Sequence, residues 1–112
     1  MLEKRSHIVF LNDFYGPLLT RKQQEAMSLH YENDWSLAEI AEHMQITRQG
    51  VHDILKRAEM ALKEYENRLG LAGRFLKTRQ YLEEVCALLD NPSGGDNIGK
   101  ALLILQEVSD ML

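Results

Sequence analysis

The chain has a single cysteine, Cys86, in 112 residues, so no internal disulfide can form. It has only two prolines and seven glycines, which leaves long stretches in which a helix can run unbroken. No apolar run exceeds about five residues, Ala101 to Leu105 being one, far short of the roughly 20 that span a bilayer. A charged start followed by an apolar stretch and a small-residue cleavage site is missing too. Together these absences predict a cytoplasmic protein with no membrane span. A surplus of positive charge is also lacking: 13 Lys and Arg stand against 17 Asp and Glu, a net charge of −4. The whole chain therefore does not draw nucleic acid to itself, and any such contact has to come from a local patch. What remains, 45% hydrophobic and 27% charged residues, is the composition of an ordinary globular protein of one-domain size.

Apolar spacing and capping signals divide the chain into helices. Ile8, Leu11, Phe14 and Tyr15 share one side of a helix over Leu2 to Tyr15, which Gly16-Pro17 ends. Thr20 to Gln23 is a capping box that starts a second helix running to about Tyr31, and Ser36 to Glu39 is another that starts a third. That helix breaks at Gln45-Ile46-Thr47, where Thr47 is a fresh N-cap. From Arg48 the apolar positions continue for about six turns to Gly70, a C-terminal stop. A further helix is expected over about Arg74 to Leu89, a loop over Asn91 to Asp96, and a last helix over Asn97 to Met111. No strand-like alternation of useful length occurs, so the predicted fold class is all-α.

The third and fourth helices, residues 36–57, match a helix-turn-helix. Ala41 supplies the small residue where two helices cross, and Ile40, Met44, Ile46, Val51, Ile54 and Leu55 supply the apolar residues aimed at a shared core. Gln45 stands where glycine is usual, at a turn that often needs positive φ, which adds a cost of about 1 kcal/mol. With the apolar set turned inward, the exposed start of the fourth helix carries Thr47, Arg48, Gln49, Gly50, His52, Asp53, Lys56 and Arg57. Arg suits guanine, Gln suits adenine and Lys suits phosphate, and these are the candidate nucleic-acid-binding residues. Residues 47–57 hold three bases and one acid, whereas Glu39 and Glu42 on the preceding helix meet phosphates poorly. Arg74, Lys77 and Arg79 form a second basic cluster.

Other chemistries find little support. His7, His30, His43 and His52 never stand four apart, so no metal site is expected. The paired acids read as solvated helix surface, Cys86 reads as a core thiol, and Gly94-Gly95 lacks the Lys-Ser/Thr of a phosphate loop. The expectation is of no enzyme, no cofactor and no small-molecule substrate.

Assembly is legible in two stripes. Leu55, Ala58, Leu62, Tyr65, Leu69, Ala72 and Leu76 form a heptad seam, although Gly70 and Gly73 argue against one helix using all of it. Ala101 to Leu105 turns through about 500°, so apolar groups point all the way round. A homodimer through Leu102, Leu103, Ile104 and Leu105 is expected. The expected organisation is a helix-turn-helix domain over residues 1–70 and a C-terminal helical extension over residues 71–112 that serves dimerisation, within one structural domain overall.

Residues 36–57 resemble the helix-turn-helix of region 4 of bacterial sigma factors, which reads the −35 promoter element. Leu11 to Tyr15, Leu19 to Gln23, Leu29 to Tyr31, the motif and Ala58 to Glu66 resemble the YlxM-like family of small bacterial proteins over about residues 1–71. The resemblance implies a sigma region 4-like, winged-helix-like three-helical core with a long helix and C-terminal helices. It implies Thr47, Arg48, Gln49, His52 and Lys56 as recognition positions. It also implies a regulatory or accessory role in the signal recognition particle pathway, beside which the family's genes commonly lie. Two functions stay open: a DNA-binding regulator of transcription, and an adaptor for protein or RNA of the signal recognition particle that keeps the motif as scaffold. The chain lacks room for the polymerase-binding regions of a sigma factor.

Overall fold

Helix α1 (Leu2–Tyr15) places Ile8, Leu11 and Tyr15 on one side, each at most 1% exposed. Pro17 cannot donate to the helix ladder, and the chain leaves α1 through one 3-10 turn, Gly16–Leu18, closed by the Leu19 N–H donating to the Gly16 carbonyl. The structure, a computed structural model, describes residues 2–90 and 95–111.

Helix α2 (Arg21–Met27) begins at the expected capping box. The Gln23 N–H donates to Thr20 Oγ1 at 3.2 Å, and the Thr20 N–H donates to Gln23 Oε1 at 3.0 Å. It does not continue as an α-helix to Tyr31. Over Ser28–Glu32 the backbone widens into one π-helical turn, with the Asn33 N–H reaching the Ser28 carbonyl. The end of this turn has distant partners: the Arg5 guanidinium, 25 residues away, donates to the carbonyls of His30 and Tyr31, and the Trp35 N–H donates to that of Leu29.

Helix α3 (Leu37–Met44) starts at the Ser36 capping box, and α4 (Arg48–Leu69) starts with Thr47 Oγ1 accepting from the Gly50 N–H at 2.9 Å. Between them Gln45 adopts φ 58°, ψ 45°. The Ile46 N–H donates to Ala41 and the Gln45 N–H to Glu42, the paired bonds of a Schellman turn, which demands a left-handed residue at position 45. Gly70, at φ 64°, closes α4 in the same region, and the heptad seam ends there.

The chain divides into two compact units, Met1–Gly70 and Leu71–Leu112. In the first, α4 packs against α1, α2 and α3. Val51, Leu55, Ala58 and Leu62 line its inner stripe, and Ile40 and Ala41 meet it from α3. Met44 and Ile54 are half-buried. Ile46, expected in the core, is instead 36% exposed, because it occupies the turn itself and lies along the start of α4 beside Gly50.

The second unit is a pair of helices, α5 (Leu71–Asp90) and α6 (Asn97–Met111), packed on each other. Ala72, Val85, Ala101 and Val108 are buried, and the Asn97 side-chain amide donates to the Leu88 carbonyl near the end of α5. Helix α5 starts three residues earlier than expected, since Gly70 alone makes the break and Gly73 stays helical. Cys86 is exposed, not a core thiol: its neighbour Val85 takes the inward position. Of the expected loop, residues 91–94 lie outside the described residues. Those described hold six α-helices and no strand, so the fold is all-α, and no helix among them is long and apolar enough to cross a membrane.

Candidate nucleic-acid interface

The Thr47 cap and the Schellman turn together present the first turns of α4. Val51 and Leu55 face inward, so the alternate face carries Thr47, Arg48, Gln49, His52, Lys56 and Arg57, all exposed. Asp53 is occupied locally. Its Oδ1 accepts from Gln49 Nε2 at 3.0 Å and lies 3.7 Å from His52 Nδ1. Arg48, Lys56 and Arg57 have no ion-pair partner among the described residues, so their charges face solvent unneutralised. Gly50 is half-buried at the cap, where a Cβ would sit 3.2 Å from Thr47 Oγ1, so the tight turn favours glycine there.

Helix α3 offers the opposite charge. The Glu39 carboxylate accepts from the Ser36 N–H, and that backbone bond holds its pKa below the usual carboxylate range. Glu42 is exposed, and His43 lies 3.3 Å from Glu25. Arg74, Lys77 and Arg79 are exposed on α5, where Arg79 pairs with Glu83 at 3.3 Å. On α6, Leu102 and Leu103 are 61% and 70% exposed, Leu105 is exposed, and Ile104 is half-buried. Among the described residues no group of three His, Cys, Asp or Glu is placed to hold a metal ion.

The structure also brings residues to this face that sequence reasoning did not. Lys4 of α1 and His30 of the π-helical turn line a cleft together with His52 and Lys56 of α4. Nothing local in the sequence signals this, because the turn that carries His30 is held by Arg5.

A short helix joined by a left-handed turn to a long one, with a polar face at the start of the second, defines an all-α helix-turn-helix protein. The chain belongs to the family described as "UPF0122: Putative helix-turn-helix protein, YlxM / p13 like", which matches residues 2–98. It is similar to the UPF0122 protein of Desulforamulus reducens, 51% identical over 89 residues covering 80% of this chain and 76% of the relative. It is likewise similar to that of Geobacillus kaustophilus, 42% identical over 86% of this chain and 87% of the relative. A third, from Halalkalibacterium halodurans, is 41% identical over 88% of this chain and 90% of the relative.

Proposed function

We propose that the chain is a cytoplasmic, non-enzymatic DNA-binding regulator that reads duplex DNA with the start of α4 and acts as a homodimer. The observation that carries the reading is the exposed set Arg48, Gln49, His52, Lys56 and Arg57 on one helical end, with three cations that form no ion pair among the described residues. In a major groove Arg48 and Gln49 are the base readers, Gln49 leaving Asp53 to reach an adenine edge, while Lys56 and Arg57 contact phosphate. Thr47 holds the helix start in place.

A second reading has its own support. Glu39 and Glu42 make the first motif helix acidic, which suits a protein contact better than a phosphate backbone, and the resemblance ties the family to the signal recognition particle. On that reading the motif is a scaffold for a protein or RNA partner.

Fluorescence anisotropy with genomic DNA fragments and with the particle's RNA separates the two. Replacing Arg48 or Gln49 by Ala is expected to relax sequence preference and cost about 1 to 3 kcal/mol for each good base contact. Lys56→Ala is expected to weaken all sequences alike. Absence of salt-dependent DNA binding by the unaltered chain at about 50 mM salt overturns the regulator reading, and RNA binding in that setting favours the adaptor.

A further inference from the structure

A cleft of about 380 Å³ opens on the first unit beside α4. Its wall on α4 is formed by His52, Lys56 and Glu59, spaced four and three residues apart and so on one helical face. Lys4 reaches it from α1, and His30 and Tyr31 reach it from the π-helical turn. The charges are unbalanced. Lys4 and Lys56 form no ion pair among the described residues, and the single carboxylate, Glu59, already accepts from the Tyr31 hydroxyl at 2.7 Å. That phenol is held in its neutral form, its pKa raised first by burial and then by Glu59.

His30 is oriented. Its Nδ1 lies 3.2 Å from the Trp35 carbonyl, which can only accept, so Nδ1 carries a hydrogen and Nε2 is the atom left for a ligand, donating to a phosphate oxygen when the ring is the imidazolium. Arg5 is not part of the lining. Its guanidinium lies 4.8 Å from the Tyr31 ring centroid, pairs with Asp34 at 2.9 Å, and donates to the carbonyls of His30 and Tyr31. Its role is to hold the turn that delivers His30.

We propose that this cleft is a phosphate-binding site that seats a backbone phosphate of the nucleic acid strand passing α4. The proposal rests on the DNA-binding reading and deepens it. Two lysine ammonium groups and two imidazoles around one already-bonded carboxylate suit a phosphate, for which lysine serves as a point charge. The cleft is also continuous with the recognition face, since His52 and Lys56 belong to both. It answers a deficit in that face. Affinity for a duplex comes largely from phosphate contacts, the chain as a whole is negative, and α3 is acidic, so Lys4 of α1 supplies a further cation from outside the motif, with His30 of the π-helical turn lining the same cleft.

Two measurements on the full chain test it. In the first, inorganic phosphate is titrated at constant ionic strength against chloride, and the side-chain resonances of His30 and His52 are followed by NMR. Saturable shifts at both histidines are expected, abolished in Lys4→Ala. Shifts that do not saturate, or that survive Lys4→Ala and His30→Gln alike, overturn the site. In the second, a duplex is titrated at several salt concentrations. Lys4→Ala is expected to weaken every sequence equally and to reduce the loss of affinity between about 50 and about 200 mM salt by roughly threefold, the share of one phosphate contact. Lys4 is exposed, so an unchanged melting temperature certifies the fold of the variant. If Arg48→Ala impairs duplex binding and Lys4→Ala does not, the cleft assignment fails while the DNA-binding reading stands. If the unaltered chain binds inorganic phosphate saturably but no duplex, the site takes free phosphate and its assignment to a strand is overturned together with that reading.

Discussion

Leu62 on α4 and Leu102 on α6 are the same side chain in the same kind of helix, yet the first is fully buried and the second 61% exposed. The contrast extends to the units that hold them. Among the described residues, Met1–Gly70 buries twelve apolar side chains, Tyr15, Met27, Ile40 and Leu62 among them, around α4. Leu71–Leu112 buries four, two of them alanines, and leaves nine large hydrophobic side chains exposed. These lie in stripes, with Phe75, Leu82 and Leu89 spaced by seven on α5 and Ile98, Leu102 and Leu105 spaced by four and three on α6. A helix stabilises itself in a protein chiefly by burying such a stripe, and a chain segment near 40 residues usually needs oligomerisation, a metal or a disulfide to be stable. The first unit thus carries a core of domain quality. The second has the surface of a partner-dependent element, which is why we place the proposed homodimer contact there.

The same truncation in the two units has the largest expected effect and tests the contrast directly. Leu62→Ala leaves a cavity in a closed core and is expected to cost about 2 to 5 kcal/mol, whereas Leu102→Ala on a dilute chain is expected to cost less than about 0.5 kcal/mol. Urea unfolding at low and high protein concentration measures both. Equal losses at low concentration would mean that the α6 stripe is covered within its own chain, and the contrast would collapse.

The dimer is the next way to sharpen it. Light scattering at micromolar concentration is expected to give twice the 12.9 kDa chain mass. Leu102→Asp with Leu105→Asp is expected to return the monomer mass with the helicity of the first unit intact, because a charge on each partner face costs more than the contact returns. A monomeric mass for the unaltered chain would remove the homodimer, including its expected contacts at Leu103 and Ile104.

Within the first unit, Ala41 stands where α3 packs on α4, and it is 6% exposed. Ala41→Leu is expected to overpack that contact and cost about 1 to 3 kcal/mol, read as an earlier thermal transition. An unchanged melting temperature would show that the helices have room to separate there, and the first unit would then be less closed than its buried residues indicate.

What could be read from the sequence was local. The caps at Thr20 and Ser36 fall where the four-residue capping boxes placed them, Thr47 caps α4 where the apolar pattern broke, and Gly70 ends α4 as its position required, since each signal acts within one helical turn. What could not be read was set by distant partners. Arg5 caps the carbonyls of His30 and Tyr31 from 25 residues away, a partner that nothing near Ser28–Glu32 in the sequence signals. Helix α5 carries apolar residues on several sides, so periodicity could not decide that Val85 turns inward and Cys86 outward. The cleft shared by Lys4, His30 and His52 joins three distant points of the chain, whereas the exposed set at the start of α4 lies within eleven residues and was legible apart from Gly50, which is half-buried.

The smallest expected effect concerns the turn between α3 and α4, where the first unit carries a local cost that its core tolerates. Gln45 is held at φ 58° by the two Schellman bonds, a region that costs a residue with a Cβ roughly 1 to 2 kcal/mol. Gln45→Gly removes that cost but gives the unfolded chain more freedom to lose, which opposes the gain by about 0.5 to 1 kcal/mol. The difference leaves a net stabilisation of a few tenths of a kcal/mol to about 1 kcal/mol, read as a higher urea midpoint at unchanged slope. Gln45→Ala keeps the Cβ and is expected to gain nothing, so the pair of variants isolates the backbone effect from the loss of the side chain. A destabilised Gln45→Gly would mean that the Gln45 side chain contributes more to the turn than its backbone strain costs.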